Sequence, residues 1–254
     1  MKMNRRPRFW FWAYNNGSKS VDLLTEALGG RIIKHENSSY KYRAGDIVIN
    51  WGFARPPSRG VPVINLPAAV QTATSKLATF VALEHVGISV PTHTRNKETA
   101  QAWNCRCLGR DLDNGSQGRG ITVYHKGDRV GDHRFYVKYF KKEREFRIHV
   151  WADRVIFEQE KLKKTDAGDE YDKYIRSHFR GWCFAFGHLR ERPVPADVRA
   201  AATASVRALG LTFGAVDIGW NAKEGPSVFE VNTAPGLEET SLQAYITQIK
   251  GLLK

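Results

Sequence analysis

Cysteine, methionine and acidic side chains are scarce in this chain of 254 residues, which has three Cys, two Met, and 26 Asp and Glu against 39 Lys and Arg. Cys105, Cys107 and Cys183 are odd in number and lack the spacing of a zinc site, so we expect reduced thiols and a cytoplasmic protein. No apolar run approaches the roughly 20 residues of a membrane-spanning helix, and we expect no membrane contact. The net charge of +13 instead predicts an acidic partner or substrate.

The N-terminus is basic and then apolar, a pattern shared with signal peptides. Its apolar run is only about six residues long, and no cleavage site of small residues follows it. We therefore interpret "RFWFWAY" as the first strand. Trp10 and Trp12 alternate there with Phe9 and Phe11, which predicts a strand buried on both faces.

The pattern of the chain divides it into three unequal parts. Residues 1–70 alternate strand and helix signals, which favours a parallel α/β layer. The turn from Ser18 to Ser20 either caps the next helix or holds an anion, and capping is the commoner use. Residues 71–136 carry a helix and a glycine-rich segment. Residues 137–254 carry a basic and aromatic segment, a further helix and two apolar strands with acids.

An acid and an amide stand two positions apart in "FEVNTAPG". Glu230 and Asn232 share a face if this segment is a strand, and Asp217 in "FGAVDIGW" can join them from a neighbouring antiparallel strand. Three oxygen ligands would then converge, as Mg²⁺ bound to nucleotide phosphates requires. The alternative is an ordinary hairpin with acids at its mouth.

The segment "FYVKYFKKEREFRIHV" mixes charge with aromatic side chains. Its basic residues are Lys138, Lys141, Lys142, Arg144 and Arg147. One interpretation is a single solvated face, the usual fate of a charge run. On a strand, however, neither side of this segment is cleanly polar, and a slot with an apolar floor and a polar rim fits better. His149 and His188 are interpreted as core or surface histidines rather than catalysts.

From about residue 60 to the C-terminus, the order and spacing of several motifs resemble those of the ATP-grasp superfamily. The motifs are "QTATSKLATFVALEHVGISVPTHT", "CRCLGRDLDNGSQGRGI", "FYVKYFKKEREFRIHV" and the two acid-bearing strands. Within the superfamily the likeness is to carboxylate-amine ligases, namely D-alanine–D-alanine ligases and the ligases that add glutamate to ribosomal proteins. The resemblance implies an α/β (α+β) fold with an N-terminal pre-ATP-grasp α/β domain (1–70), a small ATP-binding lobe (71–136) and a C-terminal lobe (137–254), the two lobes sandwiching ATP.

The resemblance also implies which basic residues bind phosphate. Lys76 matches a family lysine that opens a helix, and Arg147 faces the phosphates. Arg110 stands where the family usually has lysine, and its planar fork makes this contact less certain. Lys161 matches a lysine that returns toward the nucleotide. The neighbours that could be confused with it are Lys163 and Lys164.

The rest of the nucleotide site is assigned by the same resemblance. "NGSQGRGI" is similar to the flexible loop that covers the phosphates, and glycines let backbone amides approach an anion. Its candidate residues are Gly115, Ser116, Gly118 and Gly120. Lys138, Tyr139 and Phe140 would line the adenine slot. Glu145 would bind the ribose hydroxyls, with Glu143 as the alternative.

At the reaction end, Asp217, Glu230 and Asn232 match the family's metal ligands, and Gly236 and Ser241 match the loop that holds the substrate and the developing oxyanion. The resemblance implies that ATP and Mg²⁺ phosphorylate a small-molecule or peptide carboxylate, and that an amine or thiol attacks the acyl phosphate. The products would be an amide, ADP and phosphate. The positive charge suggests an acidic protein or nucleic acid as a further partner.

Two alternatives remain at this point. One is an ATP-grasp phosphotransferase that stops after phosphorylating a small molecule. The other is a nucleic-acid-binding module on an ATP-grasp scaffold, whose basic residues are its function. The presence of all three matching metal ligands argues against this module.

Overall fold

The computed structural model describes residues 7–57, 60–113, 118–165 and 171–253. The strands are β1 (Arg8–Ala13), β2 (Arg31–Ile32), β3 (Asp46–Trp51), β4 (His93–Thr94), β5 (Cys107–Arg110), β6 (Ile121–Tyr124), β7 (Phe135–Lys138), β8 (Arg144–Trp151), β9 (Arg154–Lys163), β10 (Trp182–Ala185), β11 (Phe213–Asn221) and β12 (Gly225–Asn232). The α-helices are α1 (Lys19–Leu28), α2 (Pro67–Thr74), α3 (Lys76–His85), α4 (Lys97–Ala102), α5 (Ala196–Ala208) and α6 (Glu239–Gly251), and short 3-10 helices cover His178–Arg180 and Gly187–Arg190.

The N-terminal strands form a parallel sheet in the order β2-β1-β3. The prediction of a parallel α/β layer is confirmed. Phe9 and Phe11 enter one hydrophobic core, and Trp10 and Trp12 another, so β1 is buried on both faces as predicted. Ser18 stands at the N-cap position of α1, but its side chain makes no capping hydrogen bond.

The small lobe contains an antiparallel sheet in the order β4-β7-β5-β6. Helix α3 begins beside it, with the Ser75 hydroxyl accepting from the Ala78 N–H. The Asp113 carboxylate, which follows β5, accepts from the Ser75 hydroxyl at 2.6 Å and from the Leu77 N–H at 3.1 Å. The chain that leads into the glycine-rich segment is thereby fastened to the start of α3.

The large lobe contains an antiparallel sheet in the order β10-β9-β8-β11-β12. Helix α5 covers one face of this sheet. Its alanine-rich sequence favours a helix. Val198, Ala202 and Val206 form an apolar stripe along it, and this stripe packs on the sheet. In β11, Val216 and Ile218 pack against this stripe. The alternate residues of β11 therefore point away from α5.

One core joins the N-terminal sheet to the large lobe. The Phe213 ring lies between Trp51 of β3, at a centroid distance of 5.1 Å, and Trp151 of β8, at 5.0 Å. Tyr245 of α6 packs edge-on against all three rings. The N-terminal part therefore shares its interior with the last part of the chain.

The three-part division stays a prediction, with two adjustments to its boundaries. The boundary at 70 falls inside α2, whose Val70 and Ala73 belong to the core of the large lobe. The boundary at 136 falls inside β7, all of which belongs to the small sheet. All three cysteines are free. In the described part of the chain, no helix has the length and apolar character needed to cross a membrane.

Candidate active site

A cavity of about 670 Å³ lies between the small sheet and the large sheet. Leu108, Arg110 and Val137 line it from the small lobe, and Glu145 and Asp217 from the large lobe. The first turn of α1 also reaches it. A cavity of this size accommodates a ligand as large as a nucleotide.

The large sheet presents side chains to this cavity in rows, because residues paired across antiparallel strands share a face. The row nearest β7 is Phe184, Lys161, Glu145 and Gly219. The middle row is Gln159, Arg147, Asp217 and Glu230. The third row is Phe157, His149, Ala215 and Asn232. The predicted convergence of Asp217 with Glu230 therefore exists as a direct cross-strand pair.

A β-bulge in β12 adds an aromatic wall that sequence reasoning missed. Asp217 pairs with Glu230 but Ile218 pairs with Val228, so Phe229 is an extra residue on β12. Val228 and Val231 both enter the core, while Phe229 and Glu230 both line the cavity. The Phe229 ring lies 6.0 Å from the Phe140 ring in an edge-on arrangement, which forms an apolar slot.

Glu145 stands at the polar end of this slot and is buried. Its Oε1 accepts from Lys161 Nζ at 2.6 Å, and Lys142 Nζ lies 3.4 Å from Oε2. Burial favours the neutral acid, but Lys142 and then Lys161 outweigh it and hold the pKa of Glu145 below its ordinary value. Oε2 makes no hydrogen bond within the described residues, and Glu145 lines the cavity as an ionised acid.

Lys76 and Arg110 bring positive charge from the opposite wall. Lys76 begins α3 and its ammonium group contacts the Glu230 carboxylate. Burial and then the charge of Arg110 nevertheless lower the pKa of Lys76 to about 7. Burial also lowers the pKa of Arg110 to about 10, and its Nε is buried without a hydrogen-bond partner. An anionic ligand beside Lys76 and Arg110 would favour their charged forms and oppose the effect of burial on both.

Asp217 is held by Arg147, which donates from Nε and Nη2 to the two carboxylate oxygens at 2.7 Å each. Burial opposes ionisation of Asp217, but Arg147 holds its pKa below the ordinary value. The Arg147 guanidinium also lies 4.2 Å from the centre of the Phe184 ring. Asn232 continues the face of Glu230, and its Nδ2 is buried without a hydrogen-bond partner.

These groups fit a nucleotide and Mg²⁺. Arg110 Nε and Asn232 Nδ2 are buried polar atoms that make no hydrogen bond within the described residues, which in native proteins calls for an explanation such as a ligand. The carboxylates of Asp217 and Glu230 are the hard oxygen donors that Mg²⁺ prefers. Among the described residues, no group of three or more His, Cys, Asp or Glu could hold a metal, so a site here depends on these two acids, Asn232 and oxygens of a ligand.

No protein-family model matches the sequence, and no curated protein matches it significantly. Solved structures do match. D-alanine–D-alanine ligase from Bacillus anthracis superposes with a TM-score of 0.66 at 16% identity, over 98% of this chain and 93% of that chain. D-cycloserine synthetase DcsG superposes with a TM-score of 0.68 at 16% identity, over 97% of this chain and 100% of that chain. The ATP-grasp ligase PsnB superposes with a TM-score of 0.67 at 13% identity, over 97% of this chain and 98% of that chain. That structure is a complex with a phosphomimetic variant of a minimal precursor, Mg and ADP.

The chain has the ATP-grasp fold. This confirms the predicted fold class, with an N-terminal α/β part and two lobes around one cavity, and it confirms the resemblance on which that prediction rested. Sequence identity this low establishes the fold alone.

Most of the predicted site residues lie on the wall of the ATP-grasp cavity. They are Lys76, Arg110, Gly118, Lys138, Tyr139, Phe140, Glu145, Arg147, Lys161, Asp217, Glu230 and Gly236. Gly115 and Ser116 fall outside the described residues. Gly120 and Asn232 lie beside the wall rather than on it. The individual roles of all these residues stay predictions.

The sequence left alternatives open for the ribose-binding acid and for the lysine that returns toward the nucleotide. Their positions relative to the ATP-grasp cavity favour one residue in each case. Glu143 is exposed, whereas Glu145 is buried and lines the cavity. Lys163 places its ammonium group over the Tyr171 ring at 4.1 Å, whereas Lys161 reaches Glu145. The geometry thus favours the first choice at both positions.

Ser241 differs from its predicted role. It is the third residue of α6, and its hydroxyl donates to the Glu238 carbonyl oxygen and accepts from the Glu238 N–H, both at 2.9 Å. This hydroxyl belongs to a capping box and is 2% exposed, so it is engaged by the helix start rather than directed into the cavity. Gly236 and Leu237 form the cavity wall at this end, and the Leu237 N–H donates to Ser20 Oγ at 2.9 Å.

Proposed function

We propose that this ATP-grasp protein is an ATP-dependent carboxylate-amine ligase. It phosphorylates a small-molecule or peptide carboxylate with ATP and Mg²⁺, and an amine attacks the resulting acyl phosphate. The bond from phosphate to ADP breaks in the first step. The bond from acyl carbon to phosphate oxygen breaks in the second, as the amide forms and the amine releases a proton.

One observation carries this proposal. A single cavity has an aromatic slot and an ionised buried acid at one end, paired cations from the small lobe, and the facing carboxylates Asp217 and Glu230. This order suits adenine, ribose, phosphates and metal in turn. The match to ATP-grasp ligases supports the same order.

The chain's own residues would act mainly by positioning and by neutralising charge. Lys76 and Arg110 would neutralise phosphate oxygens, and Lys161 and Arg147 would do so from the large sheet. Asp217, Glu230 and Asn232 would hold Mg²⁺, which supplies positive charge to phosphate oxygens during transfer. Enclosure between the two sheets would keep water from the reactive acyl group.

The test is incubation of the protein with ATP, Mg²⁺ and pooled amino acids, polyamines, peptides and nucleic acid. Mass spectrometry of the products and ADP release are the readouts. We expect ADP and a condensed product in equal amounts. A phosphorylated product without condensation would favour the phosphotransferase, and nucleic-acid binding without ADP release would favour the binding module.

A matched pair of variants ties the activity to this cavity. Asp217→Asn removes a predicted metal ligand, whereas Glu158→Gln removes an acid on β9 that pairs with Arg199 outside the cavity. We expect the first to lose at least about 100-fold in ADP release, the scale of one lost electrostatic contact in a transition state, and the second to retain it. Equal activity in both variants would overturn the assignment of the site.

A further inference from the structure

Gln159 is a polar residue of the cavity wall that neither the sequence motifs nor the proposed chemistry uses. It lies on β9 in the middle row, beside Arg147, and is 7% exposed. Its Oε1 is 3.2 Å from His149 Nε2. Among the described residues, its Nε2 has no hydrogen-bond partner in the protein.

Behind Gln159, a chain of hydrogen bonds runs through the core. His149 is fully buried, and its Nδ1 lies 3.3 Å from the Tyr245 hydroxyl of α6, which is also fully buried. Burial lowers the pKa of His149 to about 4, and burial raises the pKa of Tyr245. At neutral pH the imidazole therefore carries one N–H and the phenol keeps its proton.

The buried phenol of Tyr245 decides which groups donate and which accept along this chain of hydrogen bonds. In the described residues, His149 Nδ1 is the one acceptor within reach of the Tyr245 O–H. If Nδ1 carried the proton, it would donate to the phenol oxygen, and the phenol proton would stay buried without an acceptor, which is unfavourable. Tyr245 therefore donates to Nδ1, and the imidazole proton sits on Nε2.

The His149 Nε2–H must then find an acceptor, and Gln159 Oε1 supplies it. This turns the amide of Gln159 so that its NH₂ group faces the cavity. The core thereby fixes which half of the carboxamide a ligand meets. A donor beside Arg147 and Lys161, without an acceptor of its own, is suited to an anionic oxygen.

We propose that the Gln159 NH₂ group binds a carboxylate oxygen of the substrate, and that Tyr245 and His149 orient it for this role. This inference rests on the proposed ligase function. Gln159 is two strands from Asp217, with Arg147 between them, which at ordinary strand spacing is about 10 Å. It therefore faces the space beside the predicted metal ligands rather than those ligands themselves.

The first test determines the donor and acceptor roles along this chain of hydrogen bonds and needs no enzyme activity. Protein labelled with ¹⁵N-histidine is examined by long-range ¹H–¹⁵N correlation at neutral pH. We expect His149 as the neutral tautomer protonated at Nε2. In Tyr245→Phe, which removes the hydroxyl at nearly constant shape, we expect this tautomer to lose its exclusive population. Protonation at Nδ1 in the wild-type protein would overturn the proposal.

The second test concerns the ligand, with acetate as the carboxylate probe and Mg-ADP filling the nucleotide site. The side-chain NH₂ signals of Gln159, assigned by their loss in Gln159→Met, should shift with sodium acetate and not with equal sodium chloride. Gln71→Met, at an exposed position on α2, is the control and should keep them. If acetate shifts these signals in the protein without Mg-ADP but not in the protein with Mg-ADP bound, the donor belongs to the phosphate site and the carboxylate role is overturned.

The two hypotheses fail in different ways. If Mg-ADP does not bind and no ADP is released with any substrate pool, the proposed function fails while the tautomer result stands. If the ligase is active and Gln159→Met leaves the KM for its carboxylate substrate within about twofold of wild type, the inference fails alone. We expect at least a fivefold rise in that KM, as for loss of about 1 kcal/mol of hydrogen bonding, with the affinity for Mg-ADP unchanged.

Discussion

At the scale of single residues, the ionisation of Lys76 links its burial to nucleotide binding. Burial and then Arg110 lower its pKa to about 7, against about 10.4 for an exposed lysine. A polyphosphate beside the ammonium group favours the charged form and raises the pKa again. Between about pH 7 and 10, nucleotide binding should therefore take up a proton, and affinity should fall as the pH rises, by up to about tenfold per unit.

Calorimetry of Mg-ADP binding at about pH 8.5, within this range, in buffers of different ionisation enthalpy measures the proton uptake. Lys76→Met should bind without it. Lys223→Met, which changes an exposed lysine in the turn before β12, should bind as the wild type does. Proton-free binding by the wild-type protein would remove Lys76 from the phosphate site.

The sequence predicts residues at this scale where chemistry and spacing coincide. Asp217 and Glu230 are found because a strand has a period of two, and two acids in apolar strands are rare. The sequence does not predict the role inferred for Gln159. That role depends on His149 and Tyr245, which the fold brings to Gln159 from another strand and from the last helix. No local pattern announces such a contact.

At the scale of elements, the bulge of β12 and a glycine of β11 work together. A Cβ on Gly219 would lie 2.2 Å from the Phe229 ring, so glycine leaves the room that this ring needs beside β11. We expect Gly219→Ala to displace Phe229 and to weaken Mg-ATP binding by about tenfold, the scale of one lost aromatic contact. Fluorescence or calorimetric titration measures the loss.

Gly251→Ala is the control, because a Cβ there meets nothing within 4 Å. It should leave nucleotide affinity unchanged. If Gly219→Ala also binds Mg-ATP normally, Phe229 is not part of the adenine slot. The sequence predicted the hairpin but not its bulge, since an extra residue is defined by the register with the partner strand.

The start of α6 gives a second test of an element. Because the Ser241 hydroxyl completes a capping box, Ser241→Ala should lower the free energy of unfolding by about 1 kcal/mol. It should leave the KM values of the proposed ligase reaction unchanged. Thr247→Ala removes an exposed hydroxyl from the same helix and should alter neither quantity appreciably. Unchanged stability with a raised substrate KM would restore the predicted substrate role of Ser241.

At the scale of the whole molecule, the parts depend on each other more than the sequence shows. The alternation of strand and helix signals in residues 1–70 predicts the parallel sheet correctly. It does not predict that Trp51 stacks on Phe213, which comes from a strand much later in the chain. Likewise the cavity forms only when α3 and β5 face the large sheet, which is why motif order pointed to the fold but cavity geometry needed the structure.

The net charge of +13 is also a property of the whole molecule, and it exceeds what the cavity uses. Asp217, Glu230 and Glu145 already pair with cavity cations, so the field of the cavity is partly balanced. The excess charge must act mainly from the surface. A surface field raises the local concentration of polyanions and is screened by salt within about 10 Å at 0.1 M.

Salt therefore separates the two uses of charge. Binding to duplex DNA should weaken by at least about tenfold between about 50 and 200 mM salt, since each neutralised phosphate contributes a log-log slope of about −0.9. ADP release should change far less, because the charges of the cavity act at short range in a water-excluded space. Asp217→Asn should lose ADP release and keep DNA binding with the same salt slope. A ligase activity that falls with salt as steeply as DNA binding would mean that the surface charge, not the cavity, captures the substrate.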